Sequence, residues 1–203
     1  MSIMSQEEKN NLSTHPLSFD ELSDAAQQKA ISLYDPFMEY NWWDWIVDDW
    51  QQEMHDEYGV ETDDIEWDDS FDVWFDGKVW DDKRFIEKVL PGEIEKSMNR
   101  FMRMEGDAEK ENFWEDLYLT FVHYQGRTPR SKSMEIVVED ADEISDRLID
   151  LLEQKGKEFA IEKARELGKS LQSHWDYEHS EEGAIEFYQS NGTTFQPDGT
   201  PIG

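Results

Sequence analysis

The chain has 203 residues and no cysteine. Disulfides, thiolate metal sites and cysteine nucleophiles are therefore excluded. Basic residues are scarce: 19 Lys and Arg stand against 49 Asp and Glu, a formal net charge of -30. Such a charge favours solubility and attraction to cationic surfaces, and it opposes contact with DNA, RNA or anionic membranes. A basic partner is expected, with no direct nucleic-acid or membrane binding. No apolar run approaches the roughly 18 residues of a membrane span, and the N-terminus lacks a basic segment followed by an apolar one. A soluble, cytoplasmic protein is the expectation.

Catalytic signatures are missing too. There is no GxSxG, Walker A or GxGxxG pattern. The acids from Asp63 to Asp72 lack the central glycine and ligand spacing of a calcium loop. His174, Asp176, Glu178 and His179 are the best local metal-like cluster, but they lack HExxH spacing and read as a solvated helix end. His55 and His123 stand alone and read as surface or core histidines. Neither an enzyme nor a metal or cofactor is expected.

Aromatic residues, in contrast, make up 13% of the chain. A disordered acidic chain would be poor in them, so this one is expected to fold. Seven of the nine tryptophans lie between Tyr40 and Trp80, interleaved with acids that only Lys78 opposes. The rings supply apolar area for a core, while the carboxylates must stay in water. The expected result is a rigid scaffold with a strongly acidic surface.

Residues 1–16 are polar and without period, and read as a flexible arm. Ser18 or Ser23 can cap a following helix whose stripe is Leu22, Ala26, Ala30 and Leu33, with Pro36 as its stop. A second helix is predicted over 37–58. Tyr40, Trp43, Val47, Trp50 and Met54 form its apolar face, Trp42, Trp45 and Ile46 widen it, and Gly59 ends it. An exposed tryptophan on its margin would be a candidate contact residue. Strands are predicted over 63–68, 71–80, 115–125 and 132–139, with Asp76-Gly77 read as a hairpin turn. A helical stretch over 81–104, interrupted near Pro91-Gly92, carries Lys83, Arg84, Lys88, Lys96, Arg100 and Arg103; internal pairing with the acids is the favoured reading of these cations. Helical spacing returns over 142–175, with Gly156 a dividing point, and a short helix from Ser180 ends at Asn191-Gly192. The fold class is α+β, a central antiparallel sheet of about four strands with packed helices. One domain is expected over 17–195, followed by a flexible tail over 196–203.

Phe19-Asp20-Glu21-Leu22-Ser23, with Ala26, Lys29 and Ala30, resembles the opening of a family of uncharacterised tailed-phage proteins. Phe71-Asp72-Val73-Trp74-Phe75-Asp76-Gly77 is similar to that family's aromatic, Gly/Asp-containing segment, and Asn191-Gly192-Thr193-Thr194-Phe195 before Asp198-Gly199 to its closing aromatic and Asp-Gly turn. The Trp load and the lack of a Gly-rich run around Ser70 depart from the pattern. The resemblance implies phage origin and transfers no activity.

Two functional classes follow. The first is an inhibitor that imitates DNA. Thirty charges match the axial charge of roughly 15 base pairs of duplex, and carboxylates at i and i+4 of a helix are about 6 Å apart along the axis. Such an array fits the basic groove of a host nucleic-acid-binding defence protein of the restriction or CRISPR kind. Asp44, Asp48, Asp49, Glu53, Asp56, Asp63, Asp64, Asp68 and Asp69 are the candidate contact residues, held rigid by Tyr40, Trp43, Trp50 and Trp67. The second class is a small enzyme or nucleotide-sequestering protein. Its anion pocket would use the cations from Lys83 to Arg103 and the loop from Arg127 to Lys132, and its acidity would serve solubility alone. A homodimer is compatible with either.

Overall fold

A computed structural model describes residues 15–36, 43–92, 118–124, 133–139 and 146–202. Residues 1–14 of the arm expected over 1–16, Tyr40, Trp42, the cations Lys96, Arg100 and Arg103, and the loop 125–132 lie outside the described residues. Two compact units are present, 42–172 and 1–41 with 173–203.

The larger unit begins with α2 (Asp44–Tyr58), which follows α1 (Asp24–Ser32) of the smaller one. Ile46, Trp50 and Met54 recur at i and i+4 and are buried. Gly59 ends the helix in the left-handed conformation, φ 68°, which a glycine adopts without a Cβ clash. Trp45 does not widen the apolar face as expected. It is 47% exposed, because one helical step of about 100° carries it from Ile46 out of the buried stripe.

Strands β1 (Val60–Trp67), β2 (Val73–Val79), β3 (Tyr118–Tyr124) and β4 (Ser133–Glu139) form an antiparallel sheet in the order β1-β2-β3-β4. This is the α+β architecture expected from the alternating pattern. Val60 and Thr62 are buried at the start of β1, whereas Ile65 and Trp67 are the partly buried residues at its end. The switch from even to odd positions follows from a bulge: Asp63 pairs with Asp76 and Glu66 with Trp74, and Asp64 takes φ 42°. One extra residue in β1 thus keeps the apolar side chains on one face.

Asp76-Gly77 is not a hairpin turn. Both residues lie inside β2, where Gly77 pairs with Thr62 and with Phe121. A Cβ on Gly77 would come within 2.6 Å of the Glu61 carbonyl, so the glycine marks close approach of a neighbouring strand. The Asp76 carboxylate accepts from the His123 backbone N–H at 2.7 Å and meets its Nδ1 at 2.8 Å, joining β2 to β3. The β1–β2 turn is built instead on Asp68, whose Oδ1 accepts from Ser70 N at 2.9 Å and Asp72 N at 3.3 Å.

Helices α2, α3 (Asp82–Val89) and α4 (Asp146–Glu178) cover one face of the sheet. Trp50 meets Phe75 edge-on at 5.1 Å, Phe85 meets Phe121 at 5.6 Å, and Phe159 meets Phe85 at 5.4 Å. Phe75, Phe85 and Phe121 are fully buried, each worth roughly 1.5–3 kcal/mol relative to exposure. α4 runs unbroken through Gly156, which does not divide it. A Cβ there would sit 2.7 Å from the Ile136 side chain, and one on Gly168 would collide with the Phe71 carbonyl. Both glycines let a long helix lie directly on the sheet.

The smaller unit has its own core of Phe19, Leu22, Ala26, Ala30, Tyr188 and Phe195. Ser18 caps a 3-10 turn (Phe19–Glu21) by donating from its backbone and hydroxyl to Glu21, and Ser23 accepts from Ala26 N to cap α1. Leu33 departs from the expected stripe: α1 ends at Ser32, and Leu33 is 50% exposed as its C-cap. α5 (Glu181–Ser190) starts on Ser180, which accepts from Gly183 N. The end of the chain, expected as a loop or frayed tail, folds back as β5 (Thr194–Phe195) and β6 (Pro201–Ile202). Phe195 is buried and bridged to Leu17, and Asp198 pairs with Lys29 at 2.6 Å. The Lys29 ammonium and the Thr200 amide hold the Asp198 carboxyl down at about 2.

Candidate partner-binding surface

All nine nominated carboxylates are exposed. Asp44, Asp48, Asp49, Glu53 and Asp56 project from α2. Asp63 and Asp64 belong to β1, and Asp68 and Asp69 to the turn after it. The two groups do not share one flat face. α2 covers the sheet face that carries Val60, Thr62 and Phe75, whereas Asp63 pairs with Asp76 on the alternate side of the ladder. The acids therefore wrap the edge of β1, the outer strand of the sheet among the described residues, in two rows.

Their roles differ. Glu53 accepts from Lys163 of α4 at 2.8 Å. Asp56 accepts from Gln52 at 2.6 Å and contacts His55 Nδ1 at 2.9 Å, and these bonds, His55 first, lower its pKa. Asp68 is engaged in its own turn. Asp44, Asp48, Asp49, Asp63, Asp64 and Asp69 have no hydrogen-bond or ion-pair partner among the described residues.

Of the aromatic supports, Trp50 is buried against Phe75, and Trp43 meets Trp67 edge-on at 6.3 Å, which ties the start of α2 to the end of β1. Two further aromatics belong to this surface. Trp45 is the exposed tryptophan on the helix margin. Trp80, 46% exposed, stacks on His55 at 4.9 Å, and the Arg84 guanidinium lies 5.2 Å from its ring centre. Sequence reading placed Trp80 in a return strand; its exposure depends on where β2 ends.

Between α2 and the edge of β1 lies a groove of about 470 Å³, lined by Asp48, Gln51, Gln52, His55, Glu61 and Thr62. Spacing of i, i+3, i+4 and i+7 brings the four α2 residues onto one flank. Gln51 Nε2 donates to the Thr62 carbonyl at 3.1 Å, and Glu61 pairs with Lys78 at 2.8 Å.

The cations of α3 are largely committed. Arg84 pairs with Asp81 at 3.1 Å and donates to the Asp56 carbonyl at 3.1 Å, and Lys88 pairs with Glu57 at 3.0 Å. Lys163 is buried between Glu53 and Glu166, both at 2.8 Å, with the Tyr58 ring centre 4.6 Å away. Burial opposes its charge, but the two carboxylates outweigh that and raise its pKa. In the metal-like cluster, His179 stacks on Trp175 at 4.0 Å and Glu178 accepts from Tyr34 at 3.3 Å. No group of three or more His, Asp or Glu is placed to hold a metal ion among the described residues. No helix among them is long and apolar enough to cross a membrane. Protein-family models, curated proteins and solved structures give no match to this chain.

Proposed function

We propose that this protein is a phage-encoded inhibitor that imitates DNA and occupies the basic groove of a host nucleic-acid-binding defence protein in the host cytoplasm. The observation that carries the reading is the row of exposed α2 carboxylates, of which Asp44, Asp48 and Asp49 have no internal cation among the described residues. Each would meet Lys or Arg of the partner through charge-assisted hydrogen bonds. Asp63, Asp64 and Asp69 supply a second row across the β1 edge, as a duplex supplies two strands. Glu53, Asp56 and Asp68 contribute charge while also bonded within the fold. A scaffold anchored by Trp43, Trp50 and Trp67 lowers the entropic cost of presenting the array. The alternative, an anion pocket on the α3 cations, is weaker, because Arg84 and Lys88 already pair with acids.

The test is capture of host nucleic-acid-binding proteins by the full chain, with duplex DNA as competitor. Capture should fall steeply with salt, since exposed charges are screened beyond about 8 Å at physiological ionic strength. Capture that persists unchanged in high salt and excess DNA overturns the reading.

A further inference from the structure

Asn191 is the only one of six asparagines that is followed by glycine. Two related pairs, Asp76-Gly77 and Asp198-Gly199, occur in the chain. At such a pair the glycine backbone nitrogen can attack the carbonyl carbon of the preceding side chain, because glycine has no Cβ to obstruct the approach. With asparagine the leaving group is ammonia. With aspartate it is water, and it leaves only from the neutral acid.

The structure treats the three pairs differently. Gly77 is buried inside β2, paired with Thr62 and Phe121, and the Asp76 carboxylate is engaged by His123. Asp198 is held as a carboxylate by the Lys29 ammonium at 2.6 Å and the Thr200 N–H at 3.0 Å, and Gly199 lies against the Ala26 carbonyl. Asn191 and Gly192 are both exposed, and nothing lies within 4 Å of the place a Gly192 Cβ would take. The restraint on them is the end of α5. Asn191 is its C-cap at ψ -3°, Asn191 Nδ2 donates to the Phe187 carbonyl at 2.9 Å, and Gly192 N donates to the Gln189 carbonyl at 3.3 Å. Closing a five-membered imide requires Asn191 to leave that helical ψ and both bonds to break. Helix ends fray, so this opening is local and does not require the unit to unfold.

We propose that Asn191 is a site of spontaneous deamidation, gated by opening of the α5 cap. Gly192 N bonds to Asn191 Cγ, the Cγ–Nδ2 bond breaks, and the displaced amide group leaves as ammonia with the proton from Gly192 N. Water then opens the imide at either carbonyl and gives aspartate or isoaspartate. Either product places a negative charge at the carbonyl end of α5, where the helix dipole disfavours it. Isoaspartate also inserts one methylene into the main chain between Tyr188 and Phe195. These rings meet edge-on at 4.9 Å in the core of the smaller unit, and the bond from Thr193 N to the Tyr188 carbonyl sets the path between them. The modification therefore loosens the closure of the chain's end on Leu17. It involves neither α2 nor β1, so it stands or falls independently of the proposed partner.

The experiment is ageing of the full chain at mildly alkaline pH, followed by peptide mapping with mass spectrometry and by enzymatic methylation of isoaspartate. The peptide spanning Asn191 should gain the mass of NH2 replaced by OH, split between Asp and isoAsp, faster than any other asparagine and faster as pH rises. In unfolding urea the rate at Asn191 should increase at least about tenfold, as a cap open for roughly a tenth of the time or less implies. Asn191→Gln, which would have to close a six-membered ring, should lose the mass gain and keep the Tm that the ageing wild type loses. Faster change at another asparagine, or equal rates in native buffer and urea, would overturn the proposal. An isoaspartate-bearing chain with unaltered Tm would overturn the loosening of the smaller unit.

Discussion

Helices α2 and α4 are both amphipathic and both acidic, yet their charges have different fates. α2 has six acids and no Lys or Arg. α4 has eight acids and six Lys and Arg. On α4 three of the cations are paired with acids: Lys155 with Glu158 at 2.5 Å, Lys157 with Glu135 at 3.8 Å, and Lys163 with Glu53 and Glu166. The Lys155 and Gln154 bonds lower the Glu158 pKa. On α2, half of the acids face water with no partner among the described residues. An acidic helix in a protein of charge -30 is therefore not by itself a binding surface. The useful distinction is between carboxylates that the fold has neutralised and those it has left free.

The largest test of that distinction is charge reversal. Asp44, Asp48, Asp49 and Asp69 changed together to Lys should weaken partner binding about hundredfold or more, with circular dichroism unchanged. Glu158 of α4, which pairs with Lys155, changed to Lys should alter it less than about threefold in the same assay. Single reversals on α2 should cost far less than the set, because exposed pairs are individually weak. Equal losses from both helices would erase the contrast.

The contrast also predicts where stability resides. Gly168→Ala places a methyl group against the Phe71 carbonyl and should destabilise the larger unit by about 3 kcal/mol, read by urea unfolding. Gln52→Ala on the exposed side of α2 should stay within about 0.5 kcal/mol.

Lys163→Met should cost about 1–2 kcal/mol, since the two carboxylates left behind are half exposed and stay solvated. Because this lysine's folded pKa is raised, its contribution is complete below the ordinary lysine range. It is lost only as pH rises through the raised value. Wild type and variant should thus differ by a constant amount from pH 6 to 9, and a difference that vanished by pH 8 would contradict the burial of a charged Lys163.

A smaller gain belongs to a carboxylate the fold treats poorly. Asp82 sits in the first turn of α3 with Oδ1 buried and unpartnered. Burial first, and then the Asp81 charge, push its pKa up to about 6, against the α3 backbone bond that lowers it. A carboxyl whose folded pKa lies above its unfolded value favours folding below about pH 4 and loses that contribution as pH rises through about 6. Asp82→Asn should raise stability at pH 7.5 by about 1 kcal/mol, after discounting for partial exposure. It should also flatten the stability profile between pH 4 and 7, measured as Tm against pH.

Much of the fold was legible in local pattern. The strands expected over 71–80 and 132–139 correspond to β2 and β4, because side chains on a half-covered sheet alternate. Ser23, Gly59 and Ser180 marked helix ends, because capping chemistry is contained within a few residues. Asp76-Gly77 failed as a turn signal for a non-local reason. Its glycine answers the approach of the Glu61 carbonyl from another strand, and its aspartate answers His123. Gly156 misled in the same way, since what it accommodates is Ile136. The candidate acids could be named from sequence, but not sorted. Glu53, Asp56 and Asp68 look like Asp44 or Asp69 until Lys163, His55 and the Asp68 turn are in place.

The sequence by itself determined the charge, the absence of thiol chemistry, the amphipathic stripe of α2 and the α+β class. All of these follow from composition or from periodicities of two and 3.6 residues. Only the tertiary structure decided which carboxylates lack a partner, that Trp45 and Trp80 are exposed, that the chain's end closes on Leu17, and that α2 and β1 leave a groove between them. Each of these depends on residues distant in sequence coming within a few ångströms, and no local period encodes that distance.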